Sequence, residues 1–257
     1  KMADVFMVAP ATANILGKVA HGKAHYMITT TNLACKSTKI LVRSMKTKLY
    51  ENQIVADNIK TLTKYGNQVV TPDEGYLACG DTGAGKMPEP ETLFQYILKE
   101  IAYVKDMAGL NVLITAGPTM EAIDPVRFIT NHSTGKMGYA LAKICMLRGA
   151  NVTLITGNTQ ILKPMFVNIV EINSAKDMFK EVTKISEKQQ IIIMAAAVAD
   201  YRPAEVCEQK IKKNDDDMSI SLKKTDDILK YLGEHRKGNQ FLCGFSMETQ
   251  NVIENSK

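Results

Sequence analysis

The sequence predicts an α/β protein of two doubly wound domains with mainly parallel sheets. Three observations carry that prediction. Short apolar runs rich in β-branched residues recur at Thr38–Arg43 (TKILVR), Val112–Ile114, Asn151–Ile155 and Gln190–Met194, as expected of strands buried on both faces. Helix-like segments alternate with these runs, which implies a parallel sheet with helices on both faces. Small residues follow several runs, at the strand ends where α/β sheets place their ligands. The pattern is Rossmann-like.

The chain of 257 residues is long enough for one large or two ordinary domains, and with 45% hydrophobic and 23% charged residues it has a globular composition. A net charge of +5 suits anionic small molecules and is too weak and dispersed to argue for nucleic acid. No apolar run approaches the roughly 18 residues of a membrane span, and no signal peptide is visible at the start. Cys35, Cys79, Cys145, Cys207 and Cys243 are odd in number and scattered. They read as reduced thiols of a cytoplasmic protein, with no metal site built from side chains. The start at Lys1 and the stop at Lys257, inside a helix-like segment, suggest a piece lacking both ends.

In the first segment, residues 1–107, Asp4–Ala9 reads as a buried strand, and Thr12 as the cap of a helix running toward His21-Gly22. Thr38–Arg43 is the second strand, Thr47–Tyr65 a helix stopped by Gly66, and Gln68–Val70 a third strand. A Gly/Pro loop spans Thr71–Pro90, before a helix from about Glu91 to Asp106. Gly80–Lys86 fits GxxxxGK, but Met87-Pro88 follows where a P-loop needs a hydroxyl and a helix start.

The second segment, residues 108–257, opens with the Val112–Ile114 strand and the small residues Thr115–Thr119. A polar loop follows with Asp124, Arg127, Asn131 and His132, and then Ser133–Gly138, opening a helix over Tyr139–Leu147. Hydroxyls and glycines at a helix start leave N–H groups free for an anion, so the stretch reads as a phosphate site. The same pattern also fits any β–α unit with an ordinary capped helix. Asn151–Ile155, Phe166–Ile172 and Gln190–Met194 read as strands, with a helix over Ala175–Lys188. The strand ending in Ile155 leads into Thr156-Gly157-Asn158 without the acid that holds the ribose of a dinucleotide, which counts against a nicotinamide-dependent oxidoreductase.

The run TAGPTMEAIDPVRFITNHSTGKMG (Thr115–Gly138) closely resembles the opening of the phosphopantothenate–cysteine ligase domain, half of a bifunctional protein of coenzyme A biosynthesis. Met120 stands where that family carries an arginine. AAAVADYRP (Ala195–Pro203), KIKK (Lys210–Lys213), Thr225–Leu229 and GFSMET (Gly244–Thr249) resemble its further motifs. The resemblance implies a CTP site formed by Ala195, Ala196, Asp200, Lys210, Asp226, Asp227, Ile228, Leu229 and Phe245, the last stacking on the base. It implies that Lys210 contacts phosphate, that Asn131 holds an acyl-cytidylate intermediate, and that Arg127 meets substrate in a loop that also serves dimerisation. In that reaction the 4′-phosphopantothenate carboxylate attacks the α-phosphate of CTP with Mg²⁺, and the amine of cysteine then displaces CMP.

The first segment resembles phosphopantothenoylcysteine decarboxylase through APATAN (Ala9–Asn14), TTTNLA (Thr29–Ala34) and ACGDTGAGKMPEP (Ala78–Pro90). The resemblance implies FMN against Ala11, Thr12, Ala13 and Asn14, and Cys79 as the proton donor to the enethiolate left by decarboxylation, a role suited to a thiol. Two departures stand out. Lys46, in Arg43-Ser44-Met45-Lys46, replaces an asparagine that holds substrate, and the family's catalytic histidine has no counterpart among His21 and His25. Decarboxylation by this segment alone is therefore not expected, and a flavin-binding regulatory or structural homologue is the alternative. The family implies small-molecule partners, a ligase dimer and a higher assembly of flavin domains.

Overall fold

The computed structural model describes residues 3–76, 80, 82–213, 218–247 and 250. It divides into two compact units, Lys1–Tyr103 and Val104–Lys257, a boundary slightly upstream of the one read from sequence.

The first unit runs β1 (Val5–Ala11), α1 (Ala13–Ala20), α2 (Met27–Ala34), β2 (Thr38–Arg43), α3 (Thr47–Tyr50), α4 (Gln53–Lys64), β3 (Gln68–Val70), β4 (Asp73–Tyr76), β5 (Thr82–Lys86) and α5 (Pro90–Ile101). Strands β1, β2 and β3 form a parallel sheet in that order. Alternate residues of β2 face opposite layers: Leu41 packs with Leu16, Val19, Val55 and Leu62 of α1 and α4. Ile40 and Val42 pack with Val70 and Leu93 on the face covered by α5. The sheet is thus buried on both sides, as the unbroken apolar run of β2 requires.

The expected helix over Thr47–Tyr65 is two helices, because Asn52 interrupts it. Its side-chain Oδ1 accepts from the Ile54 N–H at 2.9 Å, restarting the chain as α4. The expected loop over Thr71–Pro90 contains the antiparallel pair β4–β5. Helix α2 had no sequence signal beyond a motif, since its threonines are poor helix formers. It is fixed locally by Thr29, whose hydroxyl accepts from the Tyr26 N–H at 3.1 Å and donates to the Tyr26 carbonyl at 3.0 Å.

The second unit runs β6 (Asn111–Ala116), β7 (Met120–Ala122), β8 (Phe128–Thr130), α6 (Lys136–Leu147), β9 (Asn151–Thr156), β10 (Asn168–Glu171), α7 (Ala175–Ser186), β11 (Ile191–Met194), β12 (Tyr201–Pro203), β13 (Leu222–Lys224), α8 (Ile228–Glu234) and β14 (Phe241–Gly244). Its main sheet is parallel throughout, in the order β10-β9-β6-β11-β14. The order reverses between β6 and β11. One face carries Leu113, Ile155 and Ile192 against Met178 and Val182 of α7 and Ile228 and Leu232 of α8. The other receives α6, whose Gly138 lies so near Ala116 that an added Cβ would sit 2.5 Å from the alanine methyl. Helices therefore cover both faces of this sheet. The first unit is α/β and mainly parallel too, but its three-stranded sheet shows no reversal of strand order among the described residues, so double winding is not seen there.

The segment between β6 and α6 is not purely irregular, because β7 and β8 pair antiparallel within it. Nor is α6 capped by a hydroxyl. Gly135 occupies the cap with φ of 79°, and the Ser133 Oγ accepts from the Gly135 N–H at 3.3 Å. A side chain at Gly135 would crowd the Gly117 backbone as well as strain the turn.

Candidate functional site

The reversal of strand order between β6 and β11 leaves a crevice at the carboxyl ends of the strands, the general ligand position of such sheets. Here the chain stitches two loops together. The Gly117 carbonyl accepts from the Ala197 N–H at 2.9 Å, and the Ala197 carbonyl from the Thr119 N–H at 3.3 Å. The buried hydroxyls of Thr115 and Thr119 accept from the Ala196 and Ala199 N–H groups at 3.1 and 3.0 Å. These threonines were part of the motif but carried no assigned role. Their signal is hydroxyls at the end of an otherwise apolar strand.

The loop held this way forms one wall of a cavity of about 560 Å³. Ala196, Asp200, Asp226, Asp227, Ile228, Leu229 and Phe245 line it, together with Met194, Lys224 and Gly244. The two strand ends are tied across it, since the Met194 carbonyl accepts from the Phe245 N–H at 3.3 Å. Thr225 closes the far side: its hydroxyl donates to the Ala199 carbonyl at 2.6 Å and its N–H to the Asp200 carbonyl at 2.9 Å. Asp227 is committed to structure, because its Oδ1 accepts from the Lys230 N–H at 2.9 Å and caps α8. Asp200 and Asp226 remain exposed. Phe245 is 52% exposed, its ring available for a flat ligand.

Ala195 and Lys210 do not line this cavity. Lys210 is exposed, and its neighbour Ile211 is bound to the loop between β7 and β8. The Ile211 N–H donates to Asp124 Oδ2 at 3.2 Å, and its carbonyl accepts from the Arg127 guanidinium. Arg127 Nε also donates to Asp124 Oδ2 at 2.9 Å. Burial pushes the Asp124 carboxyl up, but the N–H donors of Val126, Arg127 and Ile211 and the Arg127 charge outweigh it, holding the group below the usual aspartate value. Asn131 joins the two regions, its side-chain amide donating to the Ala197 carbonyl at 3.1 Å. Glu121, also unassigned from sequence, is buried and accepts from the Ala175 N–H at 2.8 Å, fixing the start of α7.

In the first unit Ala11 is buried, and its carbonyl accepts from the Ser44 N–H at 3.4 Å. Thr12 is the cap of α1. Ala13 and Asn14 line a groove of about 330 Å³ with Gly17, Lys18, His21 and Lys23. Lys18, in the last turn of α1, and Lys23, beyond its end, bring positive charge to this groove. Lys46 is exposed at the start of α3, beyond the carboxyl end of β2. Cys79 lies outside the described residues, as do Glu248 and Thr249 of the GFSMET motif.

No described helix is long and apolar enough to cross a membrane. A family model described as DNA/pantothenate metabolism flavoprotein C-terminal domain matches residues 107–257, and a flavoprotein model matches residues 1–102. The Coenzyme A biosynthesis bifunctional protein CoaBC of Haemophilus influenzae is 44% identical over 257 residues, covering 100% of this chain and 64% of that protein. Its Bacillus subtilis namesake is 45% identical over 253 residues, covering 97% of this chain and 62% of that protein. The chain thus spans less than two thirds of the length of these curated relatives. A crystal structure of the C-terminal domain of Coenzyme A biosynthesis bifunctional protein CoaBC is 46% identical with a TM-score of 0.51, covering 58% of this chain and 70% of that one. The matched residues, 107–257, contain every residue that lines the cavity, and the chain belongs to the DNA/pantothenate metabolism flavoprotein family.

Proposed function

We propose that the second unit activates the carboxylate of 4′-phosphopantothenate with CTP and passes the acyl group to cysteine, a ligation step of coenzyme A biosynthesis. The observation that carries this reading is the cavity at the carboxyl ends of β11 and β14, with Asp200, Asp226 and Phe245 on its wall and Asn131 bonded to the loop that forms it. In this reading Phe245 stacks on the cytosine, and the Ala195–Ala199 backbone lets the nucleotide approach closely. The substrate carboxylate attacks the α-phosphorus, forming the acyl–phosphate bond and expelling pyrophosphate. The cysteine amine then attacks the acyl carbon, giving the amide and CMP. Charge accumulates on phosphate oxygens, so the chain's contribution is cations and preorganised donors: Lys210, Arg127 and the Asn131 amide. Mg²⁺ is carried by the triphosphate.

The same family membership supports FMN in the first unit, against Ala11, Thr12, Ala13 and Asn14, with Lys18 and Lys23 adding positive charge to the groove that Ala13 and Asn14 line. FMN when bound would supply the two-electron chemistry of decarboxylating 4′-phosphopantothenoylcysteine. The chain would supply the groove and, from Cys79, a proton. Lys46 in place of an amide favours a second reading for this half, a flavin-binding regulatory or structural unit with decayed decarboxylase activity. Dimerisation of the second unit, a higher assembly of the first and a cytoplasmic location belong to the same proposal.

Calorimetric titration of the full-length protein with CTP and with ATP, in Mg²⁺, tests the nucleotide assignment. CTP should bind, and Phe245→Ala should weaken it by about tenfold, since stacking on an aromatic ring is worth ~1–3 kcal/mol per base. Equal affinity for ATP, or a Phe245→Ala protein with unchanged affinity, contradicts it.

A further inference from the structure

The basic run Lys210–Lys213 is not a free surface loop. Both backbone groups of Ile211 are engaged, the N–H by Asp124 Oδ2 at 3.2 Å and the carbonyl by the Arg127 guanidinium. Slightly upstream, the Cys207 N–H donates to the Ile123 carbonyl at 3.0 Å, so the segment is docked along the β7–β8 loop at two points. Asp124 is the hub of this arrangement. Its Oδ1 accepts from the Val126 and Arg127 N–H groups, each at 2.8 Å, and its Oδ2 from Arg127 Nε at 2.9 Å.

An aspartate that accepts from the N–H groups two and three residues on is an ordinary turn former. That role explains the Val126 and Arg127 bonds. It does not explain Ile211, which is 87 residues away in sequence and shares the same carboxylate. Nor does it explain why the Asp124 side chain is wholly buried while its arginine partner is 39% exposed. A buried carboxylate with four donors, one of them from the basic segment, forms a bond that water does not readily replace.

The geometry points to Asp124 as a positioning residue that holds Lys210 in place through the Ile211 backbone, without itself touching substrate. The inference rests on the reading of Lys210 as a phosphate contact. Arg127 completes the clamp by binding the carbonyl of the same residue, so the cation read as a substrate contact and the lysine read as a phosphate contact are set by one carboxylate.

Two readouts on the full-length protein test this, one independent of catalysis. In hydrogen exchange resolved to single amides, the Ile211 N–H should be protected in the wild-type protein. In Asp124→Asn it should exchange at least about tenfold faster, while β6 and β11 amides stay protected. A wild-type Ile211 amide that exchanges like open chain overturns the clamp, with no variant required. Second, Asp124→Asn should slow acyl-cytidylate formation from CTP and 4′-phosphopantothenate by about tenfold in the wild-type background. Within Lys210→Ala the further loss should be no more than about twofold, because a residue acting through Lys210 has little left to position. Equal losses in both backgrounds overturn the proposal. Should the wild-type protein form no acyl-cytidylate, the reading of Lys210 fails, and Ile211 protection alone decides whether Asp124 holds the segment.

Discussion

The Asn131 side-chain amide donates to the Ala197 carbonyl at 3.1 Å, tying the polar loop after β8 to the loop that walls the nucleotide-sized cavity. Asn131 is exposed, so this bond matters more to the arrangement of the crevice than to global stability. Asn131→Ala should lower the rate of acyl-cytidylate formation by about 10²–10³, as loss of one preorganised donor commonly does. The unfolding midpoint should move by the ~1 kcal/mol of a single exposed hydrogen bond or less. Single-turnover kinetics and urea unfolding on the same sample separate the two effects.

Gly138 and Gly233 should respond to alanine with opposite signs. Helical propensity alone favours alanine by about 1 kcal/mol at either site. At Gly138 the new Cβ would lie 2.5 Å from the Ala116 methyl and 2.9 Å from the Thr115 carbonyl oxygen. Overpacking against backbone costs about 1–3 kcal/mol, so the clash outweighs the propensity and the variant is destabilised. At Gly233 nothing lies within 4 Å of the added atom. Gly233→Ala should stabilise by up to ~1 kcal/mol. Urea midpoints of the two variants test the signs.

Acid should find Asp124. Its folded pKa is held below the unfolded value, so the stability it contributes is fully present above the unfolded value, about 3.9. That contribution is lost as pH falls through the folded value. Asp124→Asn removes it, so wild-type and variant stabilities should differ most near neutrality and converge as pH drops below about 4. Urea midpoints across that range give the curve, and a gap that widened toward acid would contradict the assignment.

The thiols should separate by environment. Burial pushes the Cys145 thiol up, with Arg148 only partly opposing it. A hydrogen bond from Ser37 holds Cys35 below its ordinary value, and Cys207 is exposed. Iodoacetamide at mildly alkaline pH should therefore modify Cys35 and Cys207 well before Cys145, because the thiolate is the reacting form. Peptide mass mapping over time reads the order.

The parts of the fold that were legible in sequence are those buried on two faces. The strands β2 and β3 fall on the residues their apolar runs indicate, and β6, β9 and β11 within a residue or two, because a short β-branched run is a local signal that needs no partner to be read. The small antiparallel pairs β4–β5, β7–β8 and β12–β13 were not legible. Their residues are largely exposed and polar, and cross-strand partners alone define them. At the site, the motifs named most of the cavity's lining, since small and acidic residues after a strand carry a local signal. The bonds from Asp124 to Ile211 and from Glu121 to Ala175 carry none. They join residues far apart in sequence, and only the folded chain brings them together.

The most direct measurement is mass spectrometry of the full-length protein incubated with CTP, Mg²⁺ and 4′-phosphopantothenate in the absence of cysteine. An acyl-cytidylate should accumulate, disappear when cysteine is added with release of CMP, and form far more slowly in Asn131→Ala and Lys210→Ala. A folded protein that binds FMN and never forms that adduct would contradict the ligase reading and favour a regulatory role.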